Sequence, residues 1–524
     1  MTSINTGSRL LANNLSRYTK WAFIGVALLA VSLRVWGVGF GLPYIYHPDE
    51  PVGVEIAQRM FKTGDLNPRF FHWPSLIFYI NAFAYIPYYL TGKLLGVFHS
   101  RADIPGPMML AMGVGKSPMP TTWLLGRMLS VIFGSAAVAL TSLIGRRLTN
   151  DTAVGLLAGL MMAISPTNVA NSRFITPDIF TTFFTLLSFW GCVQIFTRGK
   201  PWHYVIAGLG VGLTASTKYN GVLIVLPLVL AHFLRLGLKG VKERHLYLIP
   251  LVSLIAFLAT TPFALLDYRT FTADLQFDAR HYSDGHAGME GNTLGWYLTY
   301  LWQVEGPVAL LAALEILRGI YTRSKQTALL CVFPVVYFAF ISSFLVRNDR
   351  TLLPLIPFLL LLASSLLVSV FRKAYAQPSN VRKVLAVTVW GLVLAVSLTL
   401  PILRTVKGAI RLTTVDSRET ARIWIASNLS RGVRIAIESY APYVDPQYFS
   451  VHGFNGLADH TPEWYIDNGF DYLVFSQGAF GRFYQDLARY SNRISQYEDL
   501  FSAFDMVRTF TDGEYEVRIY RVVK

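Results

Sequence analysis

Two adjacent carboxylates follow directly on the first long apolar segment of the chain. They belong to the tetrapeptide His47-Pro48-Asp49-Glu50. Ionisable side chains at membrane helices are costly and tend to mark functional sites. Asp49 could accept the proton of an attacking hydroxyl group, which makes it a candidate general base. The pair therefore predicts a reaction centre at a membrane surface, and the alternative is a purely structural role for both acids.

Three further polar clusters interrupt the apolar segments and contain the cations that such a centre would need. They are the segments 173–178, 217–220 and 347–350. Lys218 and Arg350 could neutralise a phosphate group, arginine by bidentate contact and lysine as a point charge. A phosphate attached to a polyprenyl tail would lie at this depth, with its tail among the helices. Two simpler roles stay open, because Asp178 could cap a helix and Lys218 could be a solvated turn residue.

The composition places these clusters in an integral membrane protein. Of the 524 residues, 53% are apolar and only 15% are charged, and the mean hydropathy is +0.42. Residues 404–524 hold 14 of the 46 basic and 15 of the 31 acidic residues, which leaves 32 and 16 for residues 1–403. The basic excess therefore lies in the apolar part, where basic cytoplasmic loops explain it better than a nucleic-acid partner.

Eleven apolar segments have the length of a membrane span. They lie at about 21–42, 121–145, 152–170, 179–197, 203–217, 221–235, 246–263, 297–317, 327–346, 351–371 and 384–402. With the first helix uncleaved and its N-terminus in the cytoplasm, every strongly basic connection also lies in the cytoplasm, as the positive-inside rule requires. All four polar clusters and the C-terminus then lie outside.

Some residues inside these segments have expected structural roles. Arg34 and Arg127, near the outer ends of two spans, are expected to be anchors that reach the membrane surface. The glycines of segment 208–212 are expected to allow close helix packing. Cys192 and Cys331 lie in apolar segments and are expected to be reduced packing residues.

The same scheme divides the chain into two domains, a transmembrane domain at 1–403 and an external α/β domain at 404–524. The first external loop spans 43–120 and the second spans 264–296. Helices at about 52–63 and 74–95 in the first loop are expected to lie at the membrane surface, because a twelfth span would reverse every later loop. In the C-terminal domain, helices are expected at 418–429 and 478–490, and strands at 434–439, 472–476 and 515–523.

Three histidines near these loops are candidates for substrate contact. His47 precedes the acidic pair, and His281 and His286 lie in the second external loop. The second loop also contains several acids, but the spacing of these groups matches no specific metal site. No metal site is therefore predicted.

The four clusters together resemble the membrane glycosyltransferases of the GT-C class, in particular the superfamily of protein O-mannosyltransferases and lipid A aminoarabinose transferases. The resemblance covers residues 20–400. Its motifs are the acidic pair Asp49-Glu50 after the first helix, the element from Arg173 to Asp178, the Lys218-Tyr219 turn and the run from Arg350 to Pro357. The C-terminal region is similar to external domains of some bacterial members and lacks the lectin-like modules of the eukaryotic ones.

The resemblance implies a GT-C fold and the transfer of a sugar, with inversion, from a polyprenyl-phosphate donor to an acceptor hydroxyl group at the outer face of the cytoplasmic membrane. Asp49 would be the general base, Glu50 would support it, and Asp178 would assist the donor or acceptor. Lys218, Arg350 and Arg173 would hold the donor phosphate. No cofactor is implied, a metal requirement is left open, and the sugar and the lipid, glycan or protein acceptor are not specified.

Two other functions remain compatible with the sequence. A transporter or flippase of lipid-linked sugars would also place polar breaks in membrane helices, although transport sites usually lie near the middle of the bilayer. A membrane scaffold could use the external domain to bind a partner while its acids are merely solvated.

Overall fold

The fold is a bundle of membrane-type helices followed by a small domain built on a mixed sheet. The computed structural model describes residues 4–513 and 515–523, with side chains from residue 18 onward. The helices are α1 (Ile4–Val35), α2 (Glu50–Thr63), α3 (Leu76–Leu94), α4 (Pro120–Thr149), α5 (Thr152–Ile164), α6 (Pro166–Asn171), α7 (Pro177–Thr197), α8 (Pro201–Ala215), α9 (Val225–Leu236), α10 (Leu248–Thr260), α11 (Phe263–Leu266), α12 (Tyr268–Asp284), α13 (Thr293–Tyr300), α14 (Val308–Tyr321), α15 (Lys325–Ser342), α16 (Ile356–Tyr375), α17 (Asn380–Thr413), α18 (Ser417–Asn428), α19 (Pro462–Asp467), α20 (Gln477–Phe480) and α21 (Ser491–Ala503). The strands are β1 (Tyr44–Ile45), β2 (Met108–Ala111), β3 (Val114–Lys116), β4 (Arg434–Ile437), β5 (Ser450–Gly453), β6 (Tyr472–Ser476), β7 (Asp505–Phe510) and β8 (Val517–Arg521).

Seven of the described helices are long and apolar enough to cross a membrane. They are Tyr18–Val35, Pro120–Thr149, Pro177–Thr197, Tyr219–Leu236, Lys325–Ser342, Ile356–Tyr375 and Asn380–Asn428, and Thr152–Ile164 and Arg244–Thr260 are shorter apolar helices. The predicted number of eleven spans is therefore not confirmed. One difference is local, because a π-helical turn at Leu301–Glu305 interrupts the predicted span 297–317.

Helix α7 lies at the centre of the bundle, where it packs against α4, α8 and α9. Its contact with α8 is close because glycines lie on both sides. A Cβ atom on Gly210 would lie 2.5 Å from Cα of Ser188, and one on Gly191 would lie 2.7 Å from Cα of Ala207. On its other side α8 meets α10, where a Cβ atom on Gly212 would clash with the carbonyl oxygen of Ser253. The expected packing role of segment 208–212 is confirmed.

The first loop contains α2, α3 and a three-stranded antiparallel sheet in the order β1-β3-β2. The predicted helices at 52–63 and 74–95 correspond to α2 and α3. Helix α3 is not among the seven described helices that could cross a membrane.

The C-terminal sheet has the order β5-β4-β6-β8-β7. Strands β5, β4 and β6 are parallel, and β8 and β7 continue the sheet antiparallel. The predicted strands correspond to β4, β6 and β8, and α18 corresponds to the predicted helix 418–429. The prediction of a helix at 478–490 is wrong, because α20 ends at Phe480 and α21 begins only at Ser491. Two glycines near its start, Gly478 and Gly481, have low helix propensity.

Helix α17 leads from the bundle into the C-terminal domain, and residue 403 lies within it. The domain packs against the first loop. The backbone N–H of Tyr440 donates to the carbonyl oxygen of Met112, 2.9 Å away. The guanidinium of Arg418 lies 4.4 Å from the ring centre of Tyr46 and donates to its carbonyl oxygen. The loop that bears the acidic pair is therefore covered by the C-terminal domain.

Candidate active site

Asp49 forms an ion pair with Arg350, although the two residues are 301 positions apart in the sequence. Asp49 immediately precedes α2, and Arg350 lies in the short helical turn that leads into α16. Burial opposes the ionisation of Asp49, but the charge and hydrogen bond of Arg350, together with His47 and His286, outweigh it, so the pKa of Asp49 lies below its usual value. Two of the sequence clusters thus meet as a charged pair.

Asp178 and Lys218 form the second pair. Nζ of Lys218 donates to Oδ1 of Asp178 at 2.7 Å, and the side chain of Asp178 is only 5% exposed. Burial would lower the pKa of Lys218, but Asp178 together with Tyr282 and Tyr337 outweighs it, and the pKa lies above its usual value. The cap position of α7 is occupied by Thr176. A solvated Lys218 is therefore wrong, and Asp178 pairs with a cation instead of serving as the cap residue.

Glu50 is completely buried and bound to Arg127. Nε and Nη2 of Arg127 donate to the two carboxylate oxygens at 2.8 and 2.7 Å, and the backbone N–H of Ile175 donates to Oε1 at 3.1 Å. Arg127 also donates to the carbonyl oxygens of Val38 and Phe40. This cluster ties the start of α2 to α4 and to the turn before α7.

The expectation that Arg34 and Arg127 are surface anchors is wrong. Both are at most 1% exposed. Arg34 donates to the carbonyl oxygens of Ala30 and Ala163. Each guanidinium therefore donates to acceptors inside the bundle. The position of an arginine near the end of an apolar segment does not reveal such buried acceptors.

Arg173 and His47 are both held by contacts with neighbouring residues. Arg173 is 2% exposed and donates to the carbonyl oxygen of Leu33 at 2.6 Å. The ring of His47 stacks on Phe174 with 4.4 Å between centroids, and its Nδ1 accepts the backbone N–H of Asp49 at 3.3 Å. Burial lowers the pKa of His47. The structure does not bring Arg173 to the cavity described next.

Asp178, Lys218 and Arg350 line a cavity of about 260 Å³, called the polar cavity for its charged side chains, whereas Asp49 is not among its lining residues. Its walls are formed by His72, Trp73, Pro74, Pro177, Asp178, Thr217, Lys218, Tyr219, Phe277, Asp278, His281, Tyr282, Asn348, Arg350 and Thr351. A second cavity of about 420 Å³ adjoins it and has mainly apolar walls, which include Leu223, Leu275, Phe340 and Phe344. Lys218 and Tyr219 line both cavities. The cation Lys218 thus lies at the junction of the polar and the apolar cavity.

His72 lines both cavities and was missed in the sequence. Its Nδ1 lies 2.7 Å from Oδ1 of Asp278, and its Nε2 lies 3.8 Å from Asp274. Burial raises the pKa of Asp278 above its usual value, although His72 acts against the shift. Two features of the sequence could have indicated a role for His72. They are its aromatic neighbours Phe71 and Trp73 and the two acids spaced four residues apart on α12.

The two histidines of the second loop lie side by side, with 5.1 Å between the ring centroids of His281 and His286. His281 lines the polar cavity. Burial and the charge of Arg482 lower the pKa of His286, and the charge of Asp49 opposes them. Within residues 4–513 and 515–523, no three His, Cys, Asp or Glu side chains form a group that could hold a metal ion.

Comparisons with known proteins give one family match and several similar folds. The family described as Dolichyl-phosphate-mannose-protein mannosyltransferase matches residues 109–276. An uncharacterized protein of Aquifex aeolicus (strain VF5) is 24% identical over 202 residues, which is 37% of this chain. The matched region covers only 34% of that relative's length.

Two solved structures resemble the whole chain. ArnT from Cupriavidus metallidurans in the apo state covers 99% of this chain and 99% of its own, with a TM-score of 0.52 and 15% identity. The archaeal oligosaccharyltransferase AglB from Archaeoglobus fulgidus, in complex with an inhibitory peptide and a dolichol-phosphate, covers 97% of this chain and 74% of its own, with a TM-score of 0.52 and 12% identity. At these identities the likeness concerns the fold.

Proposed function

We propose that this chain is a membrane glycosyltransferase of the GT-C superfamily, which the family match to residues 109–276 and the similar folds support. It transfers a sugar from a polyprenyl-phosphate donor to an acceptor hydroxyl group at the outer face of the cytoplasmic membrane, with inversion. The observation that carries the proposal is the junction of the polar and apolar cavities at Lys218.

The two cavities match the two parts of such a donor. A sugar needs a polar space with a few placed hydrogen-bonding groups, and a prenyl chain needs an apolar groove. The phosphate between them would lie beside Lys218, which lines both cavities, with Arg350 in the wall of the polar one. A dolichol-phosphate in the similarly folded AglB supports a lipid phosphate as the ligand.

Both proposed phosphate ligands carry a carboxylate partner, Asp49 on Arg350 and Asp178 on Lys218. A donor phosphate would compete with Asp49 for Arg350. Once Arg350 turns to the phosphate, the charge that lowers the pKa of Asp49 is shared, and the carboxylate becomes a stronger base. Donor binding therefore prepares Asp49 for proton transfer.

Asp49 then accepts the proton of the acceptor hydroxyl, while the hydroxyl oxygen forms a bond to the anomeric carbon of the sugar. The bond from that carbon to the phosphate oxygen breaks, and the lipid phosphate leaves with both electrons of the bond. Attack from the face opposite the phosphate inverts the anomeric carbon. Lys218 and Arg350 stabilise the charge that develops on the phosphate.

Glu50 has a positioning role in this proposal. Its carboxylate is occupied by Arg127 and by the N–H of Ile175, and it is shielded from solvent. It fixes the first residue of α2, directly after Asp49. Removal of its charge would therefore displace the base without removing it.

Purified protein in lipid nanodiscs, given a set of labelled polyprenyl-phosphate sugars and a membrane extract as acceptor, tests the proposal. Asp49→Asn is expected to reduce glycosidic product about 100-fold or more. The matched control is Asp284→Asn, an exposed acid of the second loop, which should retain activity. Unchanged turnover in Asp49→Asn would remove it as the base. Movement of lipid-linked sugar across the bilayer without a new glycosidic bond would instead identify a flippase.

A further inference from the structure

A third space borders the site on the side of the C-terminal domain. It is an open cleft of about 340 Å³, and its lining residues include Trp296, Tyr300, Arg347, Asn348, Asp349 and Gln485. The cleft is framed by the second external loop, by the turn before α16 and by Gln485 of the C-terminal domain. The proposed donor cavities leave it unused.

The cleft has an aromatic platform. Trp296 and Tyr300 stack on each other with 5.3 Å between centroids and an angle of 22° between their planes, so a ligand can lie only on the outer face of the stack. Both rings are partly exposed. Trp and Tyr are common at membrane surfaces, but here the platform is faced by polar side chains and not by an apolar surface alone.

The polar groups around the platform are flat and rich in donors and acceptors. The guanidinium of Arg347 lies 5.8 Å from the ring centre of Trp296. Asp349 accepts the hydroxyl of Tyr300 at 3.3 Å, and Asn348 and the exposed Gln485 add amide groups. Such groups offer fixed hydrogen bonds at the edges of a ring that lies on an aromatic face.

A pyranose ring fits this arrangement, because it has an apolar C–H face and hydroxyl groups around its edge. The aromatic platform would cover the C–H face, and the amide, carboxylate and guanidinium groups would bind the hydroxyls. A peptide has no comparable flat apolar face in its backbone. The chemistry of the cleft thus favours carbohydrate.

The cleft also has the right position for an acceptor. Asn348 lines both the cleft and the polar cavity, and the residue two positions on is Arg350, the partner of Asp49. The loop above the cleft is held in place, because Glu290 pairs with Arg489 at 3.3 Å. A chain bound in the cleft would lead its end towards the base.

We infer that this cleft binds a carbohydrate chain that is the acceptor of the transferred sugar. The inference rests on the proposed function for its acceptor role, whereas binding itself does not depend on catalysis. Its physical basis is the pairing of the Trp296 and Tyr300 platform with Asn348 and Asp349, which directly precede Arg350, the partner of the proposed base.

Direct binding tests it in the full-length protein in nanodiscs. The probes are mannotetraose, cellotetraose, maltotetraose and chitotetraose, with a Ser/Thr-rich peptide of similar size for comparison, observed by saturation-transfer NMR. At least one oligosaccharide should bind to the wild type, and Trp296→Ala should weaken it about tenfold, which corresponds to about 1.4 kcal/mol. Gln485→Ala, at an exposed position that does not threaten folding, should weaken it in the same direction.

The matched control is Trp302→Ala, which removes a 58% exposed tryptophan outside the cleft and should leave binding unchanged. The inference would be overturned if none of the four oligosaccharides binds, or if Trp296→Ala and Gln485→Ala both bind them as tightly as the wild type does. It would also be overturned if only the peptide binds at Trp296.

The proposed function and this inference fail in different ways. Oligosaccharide binding that depends on Trp296, without sugar transfer by the wild type, would refute the glycosyltransferase and keep the carbohydrate site. Sugar transfer whose acceptor KM is unaffected by Trp296→Ala would keep the enzyme and refute the acceptor cleft.

Discussion

The burial of Glu50 against Arg127 allows a quantitative test of its role. Glu50→Gln removes the negative charge but keeps a side chain of nearly the same shape. Arg127, at 1% exposure, would then be a buried cation without a charged partner. Breaking a buried ion pair by removing one charge costs about 3–5 kcal/mol.

The structure places Glu50→Gln near the lower end of that range. Arg127 keeps the carbonyl oxygens of Val38 and Phe40 at 2.8 Å, and the glutamine oxygen can still accept the N–H of Ile175. We therefore expect a loss of about 3 kcal/mol in the free energy of unfolding. The double variant Glu50→Gln with Arg127→Met removes both charges together and should recover part of this loss.

The assay is thermal unfolding of the purified protein, followed by tryptophan fluorescence, with sugar transfer measured on the same samples. Asp505→Asn, which breaks the exposed pair with Arg521 (side chains 59% and 61% exposed), is the matched control and should cost less than 1 kcal/mol. Full thermal stability of Glu50→Gln, combined with loss of transfer, would refute the positioning role and indicate direct participation of Glu50 in the reaction.

Three further predictions follow from the site and the C-terminal domain. Lys218→Gln combined with Asp178→Asn removes both charges of one pair, and should weaken binding of polyprenyl phosphate about tenfold or more, whereas exposed Lys325→Gln should not; equal affinities would exclude a phosphate site. His72→Ala should lower kcat/KM about tenfold because His72 lines both proposed donor cavities, and an unchanged kcat/KM would leave His72 with a structural role alone. Burial raises the pKa of Glu438 to about 7 from 4.5, so the folded state binds its proton more tightly and the free energy of unfolding should fall by about 3 kcal/mol as pH rises from about 4.5 to 7. Glu438→Gln should remove that decline in pH-dependent melting, and an unchanged decline would contradict the assignment.

The architecture could be predicted largely because its signals are local. Apolar length marks most of the long helices, and short apolar runs mark β4, β6 and β8. The prediction of a helix at 478–490 was wrong, because Gly478 and Gly481 interrupt the apolar pattern there. The number of spans was not fixed by apolar length alone, since the turn at Leu301–Glu305 breaks a segment of sufficient hydropathy.

The site was predictable as a set of clusters but not as pairs. The sequence indicates that Asp49, Asp178, Lys218 and Arg350 belong together, because all interrupt apolar segments. It does not indicate that Arg350 pairs with Asp49, since their contact joins segments 301 residues apart. His72 was missed for a similar reason, because a lone histidine between aromatic residues acquires meaning only when α12 brings Asp278 to it.

The contact between Arg418 and Tyr46 has a consequence for biogenesis. It joins positions 372 residues apart, so the loop that carries Asp49 meets its cover only after nearly the whole chain has been synthesised. Domains generally fold as units during synthesis, the N-terminal ones first. The helical bundle therefore enters the membrane with the proposed centre still uncovered, and maturation of the C-terminal domain is the step that completes it.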